Sequence, residues 1–576
     1  MAVRKARGAK RKKVTKRKPA KRATRKKPAA RKKSATRKKP ATRKKPATRK
    51  KPATRRTKAT AESMAKRQRE ISVSEFFAKN RHLLGFDNPR KALLTTIKEA
   101  VDNSIDACEE AEILPDLLVE ITPVEGEDER FVVAVEDNGP GIVKAQVGKI
   151  FGKLLYGSKF HSMKQSRGQQ GIGISAAGMY GQLTTGKPMR ITTRPSKSGK
   201  ALRMEVRIDT ARNRPEVMRE REAKTFRKGS GTRVEIQLEG RYLKGKQSVD
   251  EYLQQTAMAN PHVSITYQGP GEDEPVVFKR ASQRIPDPAR EIKPHPHGVE
   301  LGVLARLLKG SPARTVKGAL QDAFSRVSSA VAGAICDAAG VSTKARPGAI
   351  ANREADLLYK AIRKTRIMSP ATDCVVPIGQ ELVLEGLKKE VDADLFTAVT
   401  RPPAVYRGNP FVVEAGIAWG GNLPADDLAR VIRFANRVPL LYQPGACAIS
   451  KSIVGTTWKN YGLQQSRGAL PVGPLVIFVH VASVWVPFTS ESKEAVAHYP
   501  EIVKEIRLAL NECGRKLGAF LSRRRREADE AKKVDYISKY LPQIGIALQE
   551  ILELSDVQTT RAVNKLEDVL ERSRKH

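Results

Sequence analysis

Three short groups of residues in the first half of the chain could do chemistry. The first is Glu99-Ala-Val-Asp-Asn103-Ser-Ile-Asp106. On a helix, Glu99 and Asn103 are four apart and share a face, with Asp106 three further on the same side. A carboxylate there can take a proton from water as a general base. An amide oxygen there can complete a magnesium shell, because magnesium prefers hard oxygens and leaves its other positions to phosphate and water. A solvated acidic helix face accounts for the same residues equally well. The second group is Asp137-Asn-Gly139-Pro-Gly141, directly after an apolar run at 131–136. Its glycines let the backbone turn sharply and approach a flat ligand. Its carboxylate can accept from an exocyclic amine such as that of adenine. Read alone, it is a good plain turn. The third is Gly168-Gln169-Gln170-Gly171-Ile172-Gly173-Ile174, which opens a helix. Free N–H groups at a helix N-terminus cradle phosphate.

The elements that must position these groups follow from pattern. Residues 73–86 read as a helix capped by Ser74, and 89–110 as a second, with Pro89 suited to its first turn. Strands are expected at 117–122, 131–136, 189–193, 201–209 and 232–238. Helices and strands thus share one α/β domain over 66–285. The glycine pattern does not follow the first strand of a βαβ unit and comes after the other two groups, so a dinucleotide-binding reading fails on context. Residues 286–300 read as a linker. Helices follow at 300–370, with small apolar residues at helical spacing (Val327, Val331, Ile335). Strands return at 411–419, 438–442 and 475–487. A long charged helix is expected over 491–533, with Pro500 in its first turns, and another around 544–552.

The net charge of +46 is uneven: residues 1–60 hold 30 Lys/Arg and no acid, leaving 77 basic against 61 acidic residues beyond them. Residues 35–52 repeat Ala-Thr-Arg-Lys-Lys-Pro three times. A proline in each unit forbids a continuous helix, and no large apolar residue is present to form a core. Residues 1–65 are therefore expected to be a disordered tail, similar to that of a linker histone, that binds DNA by counterion release. A tail for nuclear import or for any polyanion is the plainer reading. No apolar run approaches a membrane span, no secretory signal is expected, and five dispersed cysteines argue against zinc or a disulfide framework.

The order Glu-x-x-x-Asn on a helix, Asp-x-Gly-x-Gly, a Gly-rich stretch, then Gly231-Thr232 beside a strand resembles the GHKL ATPase superfamily (Bergerat fold). By that resemblance Glu99 is the general base for ATP hydrolysis, Asn103 the Mg²⁺ ligand and Asp137 the adenine anchor, assisted by Thr232. Gly139 and Gly141 lie against the base. Gly168, Gln169, Gln170, Gly171, Ile172, Gly173 and Ile174 form a lid over the phosphates. A histidine kinase does not fit, because no phospho-acceptor helix precedes the site.

The flanks resemble the B subunit of type IIB DNA topoisomerases (topoisomerase VI). The similar segments are Ile71-Ser-Val-Ser-Glu-Phe-Phe, Leu84-Gly-Phe-Asp-Asn-Pro, Tyr156-Gly-Ser-Lys159-Phe-His161, Phe434-Ala-Asn-Arg-Val-Pro-Leu-Leu-Tyr442 and Trp458-Lys459-Asn-Tyr461. The resemblance implies an α/β multidomain chain: a GHKL domain (66–285), a helix-two-turns-helix domain (295–372), an α/β transducer domain (373–490), and a long C-terminal helix that meets the A subunit (491–576). It implies Lys159 at the nucleotide and Lys459 as the switch lysine at the γ-phosphate, with Lys451 as a rival. ATP and Mg²⁺ are the implied cofactors. Double-stranded DNA, a DNA-cutting A subunit in an A₂B₂ assembly, and an ATP-dependent B–B dimer are the implied partners, with no membrane. The expected outcome is strand passage that relaxes and decatenates DNA. The expected location is cytoplasmic and nucleoid-associated, or nuclear in a eukaryote. Asp392-Ala-Asp394 matches only the minimal carboxylate pair of a DNA-cleavage domain, and its surroundings do not fit. The competing class is a DNA-packing protein with a degenerate ATPase body, against which the intact Glu99, Asn103 and Asp137 weigh.

Overall fold

The computed structural model of the chain describes residues 60–159, 162–168, 171–195, 199–223, 226, 229–490 and 492–573. The expected tail through residue 59, Phe160, His161, Gln169 and Gln170 lie outside the described residues. The chain forms two units, 1–69 and 70–576. In the first, helix α1 (Ala61–Ala65) opens on a capping box between Thr60 and Ser63.

The second unit opens with α2 (Val73–Lys79), which is shorter than expected and capped by Ser72 rather than Ser74. Ser72 has the extended backbone that a cap needs, and its Oγ accepts from Glu75 N–H at 3.1 Å. Ser74 is buried and donates to Asn213 instead. Helix α3 (Pro89–Glu110) matches the expected bounds, with Asn88 capping Lys91 N–H. Leu93, Ile97, Val101 and Ile105, each four apart, are fully buried. Burying such a side chain stabilises by roughly 1.5–3 kcal/mol each. That apolar stripe turns Glu99 and Asn103 away from the core.

The stripe packs on a sheet built from β1 (Asp116–Pro123), β2 (Arg130–Glu136), β3 (Met189–Arg194), β4 (Leu202–Asp209), β5 (Arg214–Glu222), β6 (Gly231–Glu239), β7 (Ser264–Gln268) and β8 (Val276–Phe278). Their spatial order is β5-β4-β3-β6-β2-β1-β7-β8. All neighbours are antiparallel except β1 and β7. Helices α4 (Lys144–Gly152), α5 (Gly173–Thr185) and α6 (Val249–Ala259) complete this part. Strand β5 is absent from the sequence expectation. Arg-Pro-Glu-Val-Met-Arg-Glu-Arg-Glu shows no apolar alternation, because an exposed edge strand needs none.

Helices α7 (Leu301–Lys309), α8 (Val316–Ala323), α9 (Ser329–Ala339) and α10 (Asn352–Lys364) enclose their own core of Leu304, Leu308, Leu320, Ile335, Leu358 and Ile362. Of the expected apolar series, Ile335 is fully buried, Val331 is half-buried, and Val327 precedes the helix.

A second α/β part follows: α11 (Gln380–Glu390), β9 (Leu395–Thr400), β10 (Ala404–Tyr406), β11 (Asn409–Trp419), β12 (Arg430–Ala435), β13 (Val438–Pro439), α12 (Ala448–Val454), a small ribbon of β14 (Gln464–Gln465) and β15 (Pro471–Val472), and β16 (Leu475–Ser483). The sheet order is β10-β11-β16-β12-β13, with β9 also on β11. Strands β11 and β16 are covered on both faces, so they read as continuous apolar runs. The expected strands at 438–442 and 475–487 end earlier, at Pro439 and Ser483.

Helix α13 (Pro500–Leu552) starts at Pro500, not at 491. Proline lacks an N–H and suits a first turn, so 492–499 is left as a loop. The helix runs on through 544–552, which is its end rather than a separate helix, and α14 (Asp556–Ser573) follows. Ile502, Ile506, Ala509, Cys513 and Leu517 seat α13 on the sheet. Among the described residues no helix is long and apolar enough to cross a membrane. All five cysteines are buried, and no disulfide is present among the described residues.

Candidate active site

The three motifs meet in one cavity of about 640 Å³. Its walls are α3, the turn after β2, residues 156–159, the start of α5, and β6. Residues 439–442 and 492–494 of the second α/β part close it.

At one end sits Asp137, buried just beyond β2. Its Oδ1 accepts from Gly139 N–H at 2.9 Å and Thr232 N–H at 3.1 Å, and its Oδ2 from Ser104 Oγ at 3.2 Å. These donors hold the carboxylate at one angle. Thr232 therefore acts through its backbone, and its Oγ1 lies 3.4 Å from Thr193 Oγ1. Thr193 Oγ1 in turn receives Ile142 N–H at 2.7 Å, tying the glycine turn to β3. Gly141 has φ +72°, and a Cβ there would strike the Arg194 carbonyl, so only glycine fits. Ile142, Val234, Ile174 and Leu94 add apolar surface to the cavity wall. A flat base with an exocyclic amine suits this end.

At the other end α5 begins at Gly173 with no side-chain cap, so its first N–H groups have no partner within the helix. N–H groups so placed can receive an anion. Glu99 lies against this end, and a Cβ on Gly173 would land on the Glu99 carboxylate. Asn103 is exposed toward the cavity, with its Oδ1 beside Gly168. Gly168, Gly171, Ile172, Gly173 and Ile174 all line the cavity. Gln169 and Gln170 lie outside the described residues.

Beneath Asn103 the charges are paired. Asp106 accepts from Lys159 Nζ at 2.6 Å and Arg167 Nη1 at 2.8 Å. Burial would raise its pKa, but the two cations more than offset this and lower it. Lys159 lines the cavity as expected, yet its ammonium is held by Asp106, with Glu110 at 3.4 Å. Arg167 forks onto Glu109 at 2.6 and 2.8 Å. Asp102, also buried on α3, is pushed up to about 7, chiefly by burial, and accepts from Tyr252 OH at 3.0 Å. Burial likewise pulls the Lys98 ammonium down.

The lysine that the second α/β part contributes to the cavity is Lys493. Lys459 and Lys451 do not line it, and both are exposed elsewhere. This corrects the expectation for Lys459. Its neighbour Trp458 is fully buried, donating from its indole to Ile453 O at 2.8 Å, and Tyr461 packs over Gly514 and Gly518 of α13. The Trp-Lys-Asn-Tyr turn is thereby fastened to α13 rather than to the cavity. Lys493 has a left-handed backbone (φ +52°), and its Nζ lies 3.4 Å from Arg167 O. The adjacent Glu494 pairs at 2.5 Å with Lys91 of α3, which also meets Asp87 and the ring of Tyr442. That pair seats the loop. Sequence reasoning missed Ser104, Asp102 and Lys493. Ser104 stood next to Asn103 and was within reach, whereas Lys493 had no local signal.

Two family models and a series of curated relatives match the chain. Residues 88–241 match the model of the histidine kinase-, DNA gyrase B- and HSP90-like ATPase, and residues 370–533 match that of the topoisomerase VI B subunit transducer. The B subunit of type 2 DNA topoisomerase 6 from Methanococcoides burtonii is 50% identical over 86% of this chain and 79% of its own. The Archaeoglobus fulgidus protein of the same name is 46% identical over 87% and 83%. That of Natronomonas pharaonis is 35% identical over 86% and 84%. The chain belongs to the topoisomerase VI B subunit family.

Proposed function

We propose that ATP binds in this cavity with its base at Asp137 and its phosphates at the start of α5, and that its hydrolysis moves the second α/β part. By family the chain is the ATP-hydrolysing B subunit of an ATP-dependent type II DNA topoisomerase, working with DNA and an A subunit. The proposal concerns how its residues divide the work. One observation carries it: Glu99, Asn103 and Asp137 share their cavity with Lys493, a residue from beyond the helical part.

Glu99 takes the proton of the water that attacks the γ-phosphorus, and ADP leaves. Asn103 would hold Mg²⁺ through its amide oxygen. The described residues contain no group of three metal-ligating side chains. A single protein oxygen fits a magnesium ion that takes the rest from phosphate and water. When bound, the ion neutralises phosphate charge. Lys493 presents a compact ammonium to the γ-phosphate and feels its loss strongly. Its loop is continuous with α13, so release of Lys493 shifts the helix that leads to the A subunit.

Two copies dimerise on ATP through their N-terminal segments in an A₂B₂ assembly and trap a duplex, which passes through DNA cut by the A subunit. This requires that nucleotide bind the two states with different affinity. The test is light scattering of the full chain with Mg²⁺ and a non-hydrolysable ATP analogue, followed by plasmid relaxation with the A subunit present. Dimerisation only with nucleotide, and loss of relaxation in Glu99→Ala, are expected. Undiminished relaxation by Glu99→Ala would overturn the gate.

A further inference from the structure

Between the glycine-rich segment and the second α/β part runs a set of buried polar groups that the site chemistry leaves unused. Its crossing point is the turn between β12 and β13, Asn436-Arg437. The two residues have φ +47° and +66°, the paired left-handed conformations of a two-residue hairpin turn. Asparagine accepts this conformation readily and arginine does not, so the turn is held by its surroundings. Both residues are buried.

Asn436 Nδ2 donates to Ser166 O and to Ser483 O, each at 3.0 Å, and its Oδ1 accepts from Ser483 N–H at 2.8 Å. Arg437 N–H donates to His480 Nε2 at 2.9 Å, which fixes the imidazole proton on Nδ1, facing Glu414 at 2.8 Å. On the other side the Arg437 carbonyl accepts from Asn260 Nδ2 at 3.2 Å. Asn260 Oδ1 accepts from Arg167 Nη2 at 2.5 Å, and Arg167 holds Asp106 on the helix that carries Asn103. Polar contacts thus run unbroken from the central strands of the second sheet to the working face of α3.

A junction that needed only adhesion would be cheaper to build from apolar groups, since buried polar groups cost stability unless fully paired. What hydrogen bonds add is direction. Neither Asn260 nor Asn436 lines the cavity. We propose that Asn260 and Asn436 are positioning residues for ATP hydrolysis. They set Ser166, Arg167 and Gly168 against α3 according to where the second α/β part sits, through hydrogen bonds that meet the Lys493 contact at Arg167. The proposal rests on reading the cavity as the ATP site.

The test uses the full chain and the isosteric changes Asn260→Asp and Asn436→Asp. Each replaces a donor by an acceptor: one faces the Arg437 carbonyl, the other the carbonyls of Ser166 and Ser483. Asn436→Gly keeps the left-handed turn and removes the contacts without adding charge, so it decides the case if an Asp variant does not fold. Melting without nucleotide, Kd for ADP, and kcat and KM for ATP with Mg²⁺ are measured. The expected result is a kcat at least tenfold lower, with KM and the ADP Kd within threefold of the unaltered chain. An unchanged kcat in folded variants overturns the proposal. So does a parallel fall in melting temperature, ADP affinity and kcat, which is the mark of a merely structural role. An unaltered chain that neither binds ADP nor hydrolyses ATP would overturn the ATP reading itself, and is told apart by that control.

Discussion

The two ends of the cavity are built differently. At the proposed base end, Asp137 is fixed by Ser104 of α3, Gly139 of the turn after β2 and Thr232 of β6. At the proposed phosphate end, Glu99 and Asn103 come from α3, the N–H groups from α5, and Lys493 from a loop far along the chain. The base end is complete within one part of the molecule. The phosphate end is complete only when a second part is in place. A site divided in this way can bind nucleotide through one end and make hydrolysis depend on domain position through the other.

The comparison breaks most sharply at Glu99. Glu99→Gln should lower kcat about 10³-fold, within the range of a lost general base, while leaving the ADP Kd nearly unchanged. Rapid-quench turnover and calorimetry measure the two. Asp137→Asn should do the reverse. Losing a charged acceptor of an amine costs about 1.5–3 kcal/mol, or roughly ten- to a hundredfold in nucleotide affinity, with a smaller change in kcat at saturation. If either substitution affected both quantities equally, the ends would not be separate.

A smaller effect sharpens the picture beneath the phosphate end. Asp102 is held near 7 in the folded chain by burial, against an ordinary value of 3.8. Between these values the folded state keeps a proton that the unfolded state has lost. Stability therefore falls as pH rises through this window, by up to the order of 4 kcal/mol. Asp102→Asn should flatten that slope, so its stability relative to the unaltered chain should rise from pH 5 to pH 8 in denaturant titrations. Parallel curves would mean that Asp102 is ionised throughout.

The base end drew notice through the order of its motifs, not through any one of them. Read alone, Asp137-Asn-Gly139-Pro-Gly141 is a plain turn and the α3 spacing fits a solvated face, and only the three motifs in order, with their superfamily resemblance, set Asp137, Glu99 and Asn103 apart. Ser104 carries no signal of its own, because a serine inside a helix is common and only the approach of Asp137 gives it a role. The phosphate end was partly illegible for a physical reason. Lys493 sits in Ser490-Glu-Ser-Lys-Glu494, which reads as a plain polar loop, and a helix start expected at 491 would have put it on a helix surface. What places it is the Lys91–Glu494 pair, a tertiary contact. Lys459 was singled out because Trp458-Lys459-Asn-Tyr461 resembles a loop of the family, yet the burial of Trp458 and the packing of Tyr461 are what fasten that turn to α13. Edge strand β5 escaped because exposure removes the alternation by which strands are read.

The division of the site is tested most directly by single-turnover ATP hydrolysis in the full chain, with Lys493→Met and Lys459→Met compared side by side. Removing a preorganised charge at a phosphate should cost about 10²-fold, so Lys493→Met should slow turnover by that much and Lys459→Met by less than about twofold. A slow Lys459→Met beside a Lys493→Met that turns over normally would contradict the account.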